Sequence, residues 1–240
     1  MPKITTQAIV LRRADAGDND RMLTLFTPEH GLISAMSRGC RKQKSPLMAA
    51  SEVFCSGEYM LYRREDHATV VSCDVREAFY PLRQDVERLS HGAYLVELCA
   101  LAVQPEEENR RLFVLLSQCL AYLAYDDVPS RNVTALFLLG FMSLLGFRPM
   151  VAHCAVCGRP LDGATGWYGP ERGGVLCRDC RENATELQPS DIRFLHAAMG
   201  RGVSALREDI SCSREMFASL RSMAECHLEA PVRSGRTLIV

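Results

Sequence analysis

Four of the eleven cysteines in the 240-residue chain are spaced for metal chemistry. Two residues separate Cys154 from Cys157, two separate Cys177 from Cys180, and 19 residues lie between the pairs. Each CxxC turn offers two thiolates from one tight loop, and two such loops complete a tetrahedron around zinc. A redox pair of thioredoxin type is the competing reading, but neither copy has a βαβ context. Four thiolates close the coordination shell and load the ion with negative charge. That makes it a poor Lewis acid, so the expected role of a single Zn2+ is structural. His153 precedes Cys154 and reads as a bystander. The segment between the pairs is rich in Gly and Pro, suited to folding back around a metal but not to building a core of its own.

The second chemical feature is SRGCRKQKSP, residues 37–46, which carries Arg38, Arg41, Lys42 and Lys44. No acid occurs from residue 30 to residue 51, although the whole chain has a net charge of −1. Bulk charge therefore attracts no polyanion, and any such contact must be a local patch. Arg12, Arg13, Arg21, Arg63 and Arg64 fall where strands are expected to end and extend the candidate set. Such side chains contact phosphates without reading sequence, and released counterions drive the binding. Phe26, Phe54, Tyr59 and Tyr62 are candidate stacking partners for bases, each weighed against a place in the core.

The elements that must carry these residues change in kind along the chain. Period-two patterning predicts strands over 4–13, 22–27, 32–37, 53–62 and 68–75. In the last of these, Thr69, Val71, Cys73 and Val75 are expected on one face. Turn formers separate most of the strands, notably DAGDND at 15–20 and PEHG at 28–31. Five short strands point to a small barrel or sandwich, and the long connection 39–50 holds the basic run. After residue 81 the apolar spacing becomes helical. Helices are expected over 82–103, 107–123, 133–147, 190–199 and 216–228, with Ser130 and Ser190 as N-caps.

The apolar run 133–147 is 15 residues long, short of the roughly 18 to 20 needed to span a bilayer. The N-terminus has no apolar run of secretory type, and a cytoplasmic, membrane-free protein is expected. The other seven cysteines fall singly and read as small buried hydrophobes. No phosphate-binding loop, HExxH, GxSxG or GxGxxG is present, so a binding protein is favoured over an enzyme. A zinc-stabilised scaffold for protein interactions, with incidental DNA contact, is the alternative. A zinc hydrolase ranks below both.

The N-terminal stretch TTQAIVLRRADAGDNDRMLTLFTPEHGLISAMSRGCRKQKSPL resembles the start of the RecO family of bacterial recombination mediators. LLGFMSLLGFRPMVAHCAVCG is similar to that family's buried helix and first zinc knuckle, VLCRDC to its second knuckle, and HLEAPVRSGRTLIV to its closing helix. The turn GDNDR departs from the family's acid-Ser-aspartate order at Asn19. The resemblance implies an α+β multidomain chain, with an N-terminal OB-fold barrel over 1–80 and a helical domain over 81–240. A zinc-binding insert is implied at 152–182. It further implies a non-enzymatic DNA-repair protein, nucleoid-associated during repair, that binds single- and double-stranded DNA and promotes annealing. The implied partners are RecR, the C-terminal tail of single-stranded-DNA-binding protein and, indirectly, RecA. On it, Arg38, Arg41, Lys42 and Lys44 match the family's basic loop, and the four spaced cysteines match its metal ligands.

Overall fold

Alternating apolar residues and tight polar turns fold the first part of the chain into five strands. A computed structural model describes residues 3–64, 67–228 and 230–239, the side chains of Arg64 and His67 excepted. β1 (Lys3–Ala16), β2 (Asp20–Thr27), β3 (Gly31–Ser37), β4 (Ser56–Arg64) and β5 (His67–Glu77) form a closed barrel in the order β1-β2-β3-β5-β4. All neighbours are antiparallel except β3 and β5, which pair in parallel through two residues only. β1 has 14 residues and serves two neighbours, β4 with its first half and β2 with its second. REDH at 64–67 also reads as a turn between strands, and its Glu65 and Asp66 lie outside the described residues.

The barrel interior holds Ala8, Val10, Leu23, Leu25, Ile33, Ala35, Tyr59, Leu61 and Val70. The buried face of β5 differs from the expected one. Pairing passes from Leu61–Val70 to Met60–Ser72, so Val71 is an extra residue that bulges outward and the alternation changes phase. Val70 lies in the core, Cys73 packs against it, and Val71 is exposed.

α1 (Val86–Ala102) and α2 (Arg110–Tyr125) join the barrel in one compact unit, residues 1–125 with 232–238. Asp85 starts α1 by accepting from the Arg88 amide at 3.0 Å, satisfying one of the helix's orphan donors. On α2, Phe113 meets Phe26 of the barrel edge to face at 5.5 Å. Gly31 is required where the two parts touch: its φ is +60°, and a Cβ there would sit 2.0 Å from the Gln104 carbonyl. Across that approach the Glu106 amide donates to the His30 carbonyl at 2.9 Å, and the Asn109 amide to Pro28 at 2.9 Å.

The second compact unit, residues 126–231, contains α3 (Ser130–Leu144), α4 (Pro189–Arg201) and α5 (Arg214–Glu225). α3 is buried on nearly every side, as its continuous apolar sequence requires. Neither expected serine cap is used. Ser130 is already helical behind Pro129, and α4 is capped by Gln188 with Asp191 in a reciprocal box. Among the described residues, the closing segment is not helical after Glu225, apart from a short 3-10 turn at Ser234–Arg236.

The Gly- and Pro-rich segment departs from expectation as well. β6 (Trp167–Gly169), β7 (Gly174–Leu176) and β8 (Thr185–Glu186) make a small antiparallel sheet that buries Tyr168, Val175 and Leu176. The Tyr168 hydroxyl reaches Met223 Sδ on α5 at 3.0 Å, so the segment's core is shared with a helix. Among the described residues, no helix is long and apolar enough to cross a membrane.

Candidate nucleic-acid interface and metal centre

The connection from β3 to β4 alternates small apolar residues with cations, and the fold uses both sets. Cys40, Leu47 and Ala50 enter the barrel core, while Arg38, Arg41, Lys42 and Lys44 stay at the surface. Successive turns carry the backbone, with the Lys42 amide donating to Gly39, Ser45 to Lys42 and Met48 to Ser45 at 3.0–3.2 Å. The far end is fastened from inside: the Tyr59 hydroxyl donates to the Ala50 carbonyl at 2.7 Å, and the Ser37 and Ser51 hydroxyls lie 2.8 Å apart. The long connection is therefore a bolted surface and not a loose strap.

The nine basic residues expected at the site divide sharply. Among the described residues, Arg38, Lys42 and Lys44 form no ion pair with a carboxylate. Five others are engaged. Arg12 approaches Glu97 at 3.9 Å, Arg13 and Arg21 share Glu52 at 2.5 and 2.7 Å, and Arg41 faces Asp15 at 3.4 Å. Arg63 pairs with Glu106. The Arg64 side chain lies outside the described residues. Arg21 is the most enclosed of the five; burial alone would lower its pKa, but bonds to Glu52 and Asp15 outweigh that and raise it. Of the aromatic candidates, Phe26, Phe54 and Tyr59 are buried. Tyr62 is at the surface, with Lys3 Nζ 6.0 Å from its ring centre.

In the second unit, the Sγ atoms of Cys154, Cys157, Cys177 and Cys180 all lie within 4.8 Å of one another. The Gly158 amide closes the first knuckle onto Cys154 at 2.9 Å, and the Cys180 amide closes the second onto Cys177 at 3.0 Å. Ala155 donates to the Val175 carbonyl at 2.9 Å and ties the first knuckle to β7. Burial raises the Cys154 thiol, but amide donors from Cys157, Cys177 and Val156 outweigh it and bring the group down to about 6. A thiolate is thus favoured at one corner, and Cys180 is pushed up to about 12, chiefly by its bond with Cys177. Four thiols this close together suit a divalent cation, which takes the place of their protons. Of the remaining seven cysteines, Cys226 is exposed and Cys73 half-buried, exceptions to the expected burial.

Residues 1–79 match the family described as Recombination protein O N terminal, and residues 83–236 match Recombination protein O C terminal. The chain belongs to the RecO family. Among its RecO relatives, the DNA repair protein RecO of Moorella thermoacetica is 35% identical over 176 residues, 73% of this chain and 65% of that protein. The DNA repair protein RecO of Acetivibrio thermocellus is 32% identical over 183 residues, covering 76% and 72%. That of Pelotomaculum thermopropionicum is 31% identical over 233 residues, 95% of this chain and 90% of the relative.

Within this RecO chain, sequence reasoning missed the carboxylates that occupy most of the basic set. Glu52, Glu97 and Glu106 lie far in sequence from the arginines they hold, so no local pattern announces them. Asp15 stands only six residues before Arg21 and was the one visible signal.

Proposed function

We propose that this RecO-family chain is a non-enzymatic DNA-repair mediator whose barrel, residues 1–80, contacts the nucleic-acid backbone through Arg38, Arg41, Lys42 and Lys44. The observation that carries this reading is a fixed loop with three exposed cations that form no ion pair with a carboxylate among the described residues. Backbone phosphates supply the missing charge, on single or double strands alike, and the contact is blind to sequence. An annealing activity follows from the same chemistry, because neutralised strands repel each other less. The names of the relatives place them in DNA repair, which supports action in the cytoplasm at the nucleoid. RecR, the tail of single-stranded-DNA-binding protein and RecA are the partners of this reading. Exposed Phe147 and Met150 around Arg148 offer an apolar surface with a cation, which suits an acidic, hydrophobic tail.

The metal of this reading is one structural zinc. A tetrahedron with Zn–S distances of about 2.3 Å has sulfur–sulfur edges of about 3.8 Å, and Cys157 Sγ lies 3.8 Å from Cys177 Sγ. Bound there, the ion would join the two knuckles, and no reaction step passes through it.

Titrating a labelled single-stranded oligonucleotide over a salt series tests the DNA contact. Phosphate contacts by Arg38, Lys42 and Lys44, with Arg41 held by Asp15, predict a log–log slope of about −2, and a fourth contact by Arg41 would bring it to about −3. An equal slope and affinity after replacing all four loop cations by Ala would refute the assignment. A strand-annealing assay with single-stranded-DNA-binding protein present and absent then separates the mediator from a simple scaffold.

A further inference from the structure

The acid cluster of DAGDND, which closes the β1–β2 hairpin, has no part in the function so far. It touches the basic loop at several points. Asp20 Oδ1 accepts from the Gly39 amide at 2.7 Å, and the Asn19 carbonyl accepts from the Arg41 amide at 3.0 Å. Between those bonds Cys40 is wholly buried in the barrel. Three consecutive loop residues are therefore fixed, and Arg38 and Lys42 flank the fixed stretch. Gly39 has φ +65°, and a Cβ there would meet nothing closer than 3.6 Å, so the glycine answers to backbone conformation and not to space. The acceptor on Asn19 is a main-chain carbonyl, which any residue provides. That explains why this position can depart from the family's serine.

The other end of the turn acts on charge. Arg41 Nη1 donates to the Gly17 carbonyl at 3.2 Å and lies 3.4 Å from Asp15 Oδ2. The Asp15 side chain is 54% exposed, so water screens this pair and a phosphate can replace it. Asp15 also meets Arg21 at 3.2 Å, but Arg21 keeps its 2.7 Å bond to Glu52 without it.

We propose that the acidic turn is a positioning element for the DNA-contacting loop, with opposite contributions from its two ends. Asp20 holds the loop in the shape that presents Arg38 and Lys42. Asp15 competes with DNA phosphate for Arg41 and so moderates affinity. The inference rests on the loop contacting DNA as proposed above.

The test is single-strand binding of the full chain over a salt series, with thermal melts of each variant. Asp20→Ala should weaken binding about threefold to tenfold, the range of a typical lost hydrogen bond. Asp20→Asn keeps an oxygen acceptor for Gly39 and should restore binding to within about twofold. Asp15→Asn should bind more tightly and steepen the log–log slope by about 0.7, one added phosphate contact. Asp18→Asn removes the same charge from the same turn, and Asp18 has no ion pair among the described residues; its slope should stay at the wild-type value. Equal weakness in both Asp20 variants would overturn the positioning role, and equal slopes for the Asp15 and Asp18 variants would overturn the competition. A variant with Arg38, Lys42 and Lys44 replaced by Ala separates the two levels. Wild-type binding by that variant removes the DNA-contact reading and this inference with it. Weak binding there, beside wild-type behaviour of Asp20→Ala and Asp15→Asn, removes the inference alone. If Asp20→Ala fails to fold, Asp20→Asn and the Asp15/Asp18 pair still decide.

Discussion

The basic loop of the barrel and the cysteine ribbon of the second unit are both irregular segments held in one shape, by different means. The ribbon brings four identical donors from two short turns to within 4.8 Å of each other. Its chemistry is complete in those side chains, and a metal fits them without help from distant residues. The loop brings its cations to the surface only because Cys40, Leu47 and Ala50 are anchored in the barrel and the β1–β2 turn accepts two of its amides. A donor set can be inscribed locally, whereas a charged surface depends on which acids the fold sets beside it.

The largest test of that contrast removes the proposed zinc. Cys177→Ser, or a strong chelator, should release the ion and unfold the ribbon, since structural zinc contributes on the order of 10 kcal/mol in small domains. Elemental analysis should fall from about one zinc per chain to near none, limited proteolysis should cut within 152–188, and single-strand binding by the barrel should persist. Loss of DNA binding together with the metal would break the separation between the two regions. Replacing Arg38, Arg41, Lys42 and Lys44 by Ala should weaken DNA binding by about a hundredfold at low salt and flatten the slope by about 2, with metal content unchanged.

Smaller effects sharpen the picture of how the loop is held. Tyr59→Phe leaves the Ala50 carbonyl without its buried donor and should cost about 1–3 kcal/mol in denaturant unfolding. Glu97 accepts from the Ser234 amide at 2.7 Å, the Ser234 hydroxyl at 2.5 Å and the Arg233 amide at 3.2 Å. Burial alone would raise its pKa, but these donors and Arg12 hold it below the usual glutamate value. The stability it contributes is therefore full above that usual value and is lost as pH falls through the lowered one. Hydrogen exchange of residues 232–238 should accelerate in that acid window, and Glu97→Gln should show the acceleration already at neutral pH, by about 1 kcal/mol. The least effect is expected from Arg63→Ala. Its partner Glu106 already neutralises it, so the salt slope should move by less than about 0.3. A shift near 0.7 would return Arg63 to the phosphate-contacting set.

Much of the architecture follows from periodicity. The five strands and five helices lie close to their expected spans because alternation and helical spacing are properties of neighbouring residues. The failures share one cause. The bulge at Val71 arises from how β4 and β5 pair, which β5 alone does not encode. The small sheet of 167–186 is stable because Tyr168 finds Met223 on a later helix. Gln188 displaces Ser190 as the cap of α4 because Asp191 completes the reciprocal bond, and Asp191 also accepts from the Ser213 amide at 2.7 Å.

By itself the sequence determined the four clustered cysteines, the family and the location of the basic run, because spacing and composition travel with the chain. Only the tertiary structure decided which of the basic residues carry an ion pair. Arg13 and Arg21 look no different in sequence from Arg38, yet Glu52 reaches the first two across at least 31 residues. Ion pairing depends on distance in space, and chain separation does not report that distance until the barrel has closed.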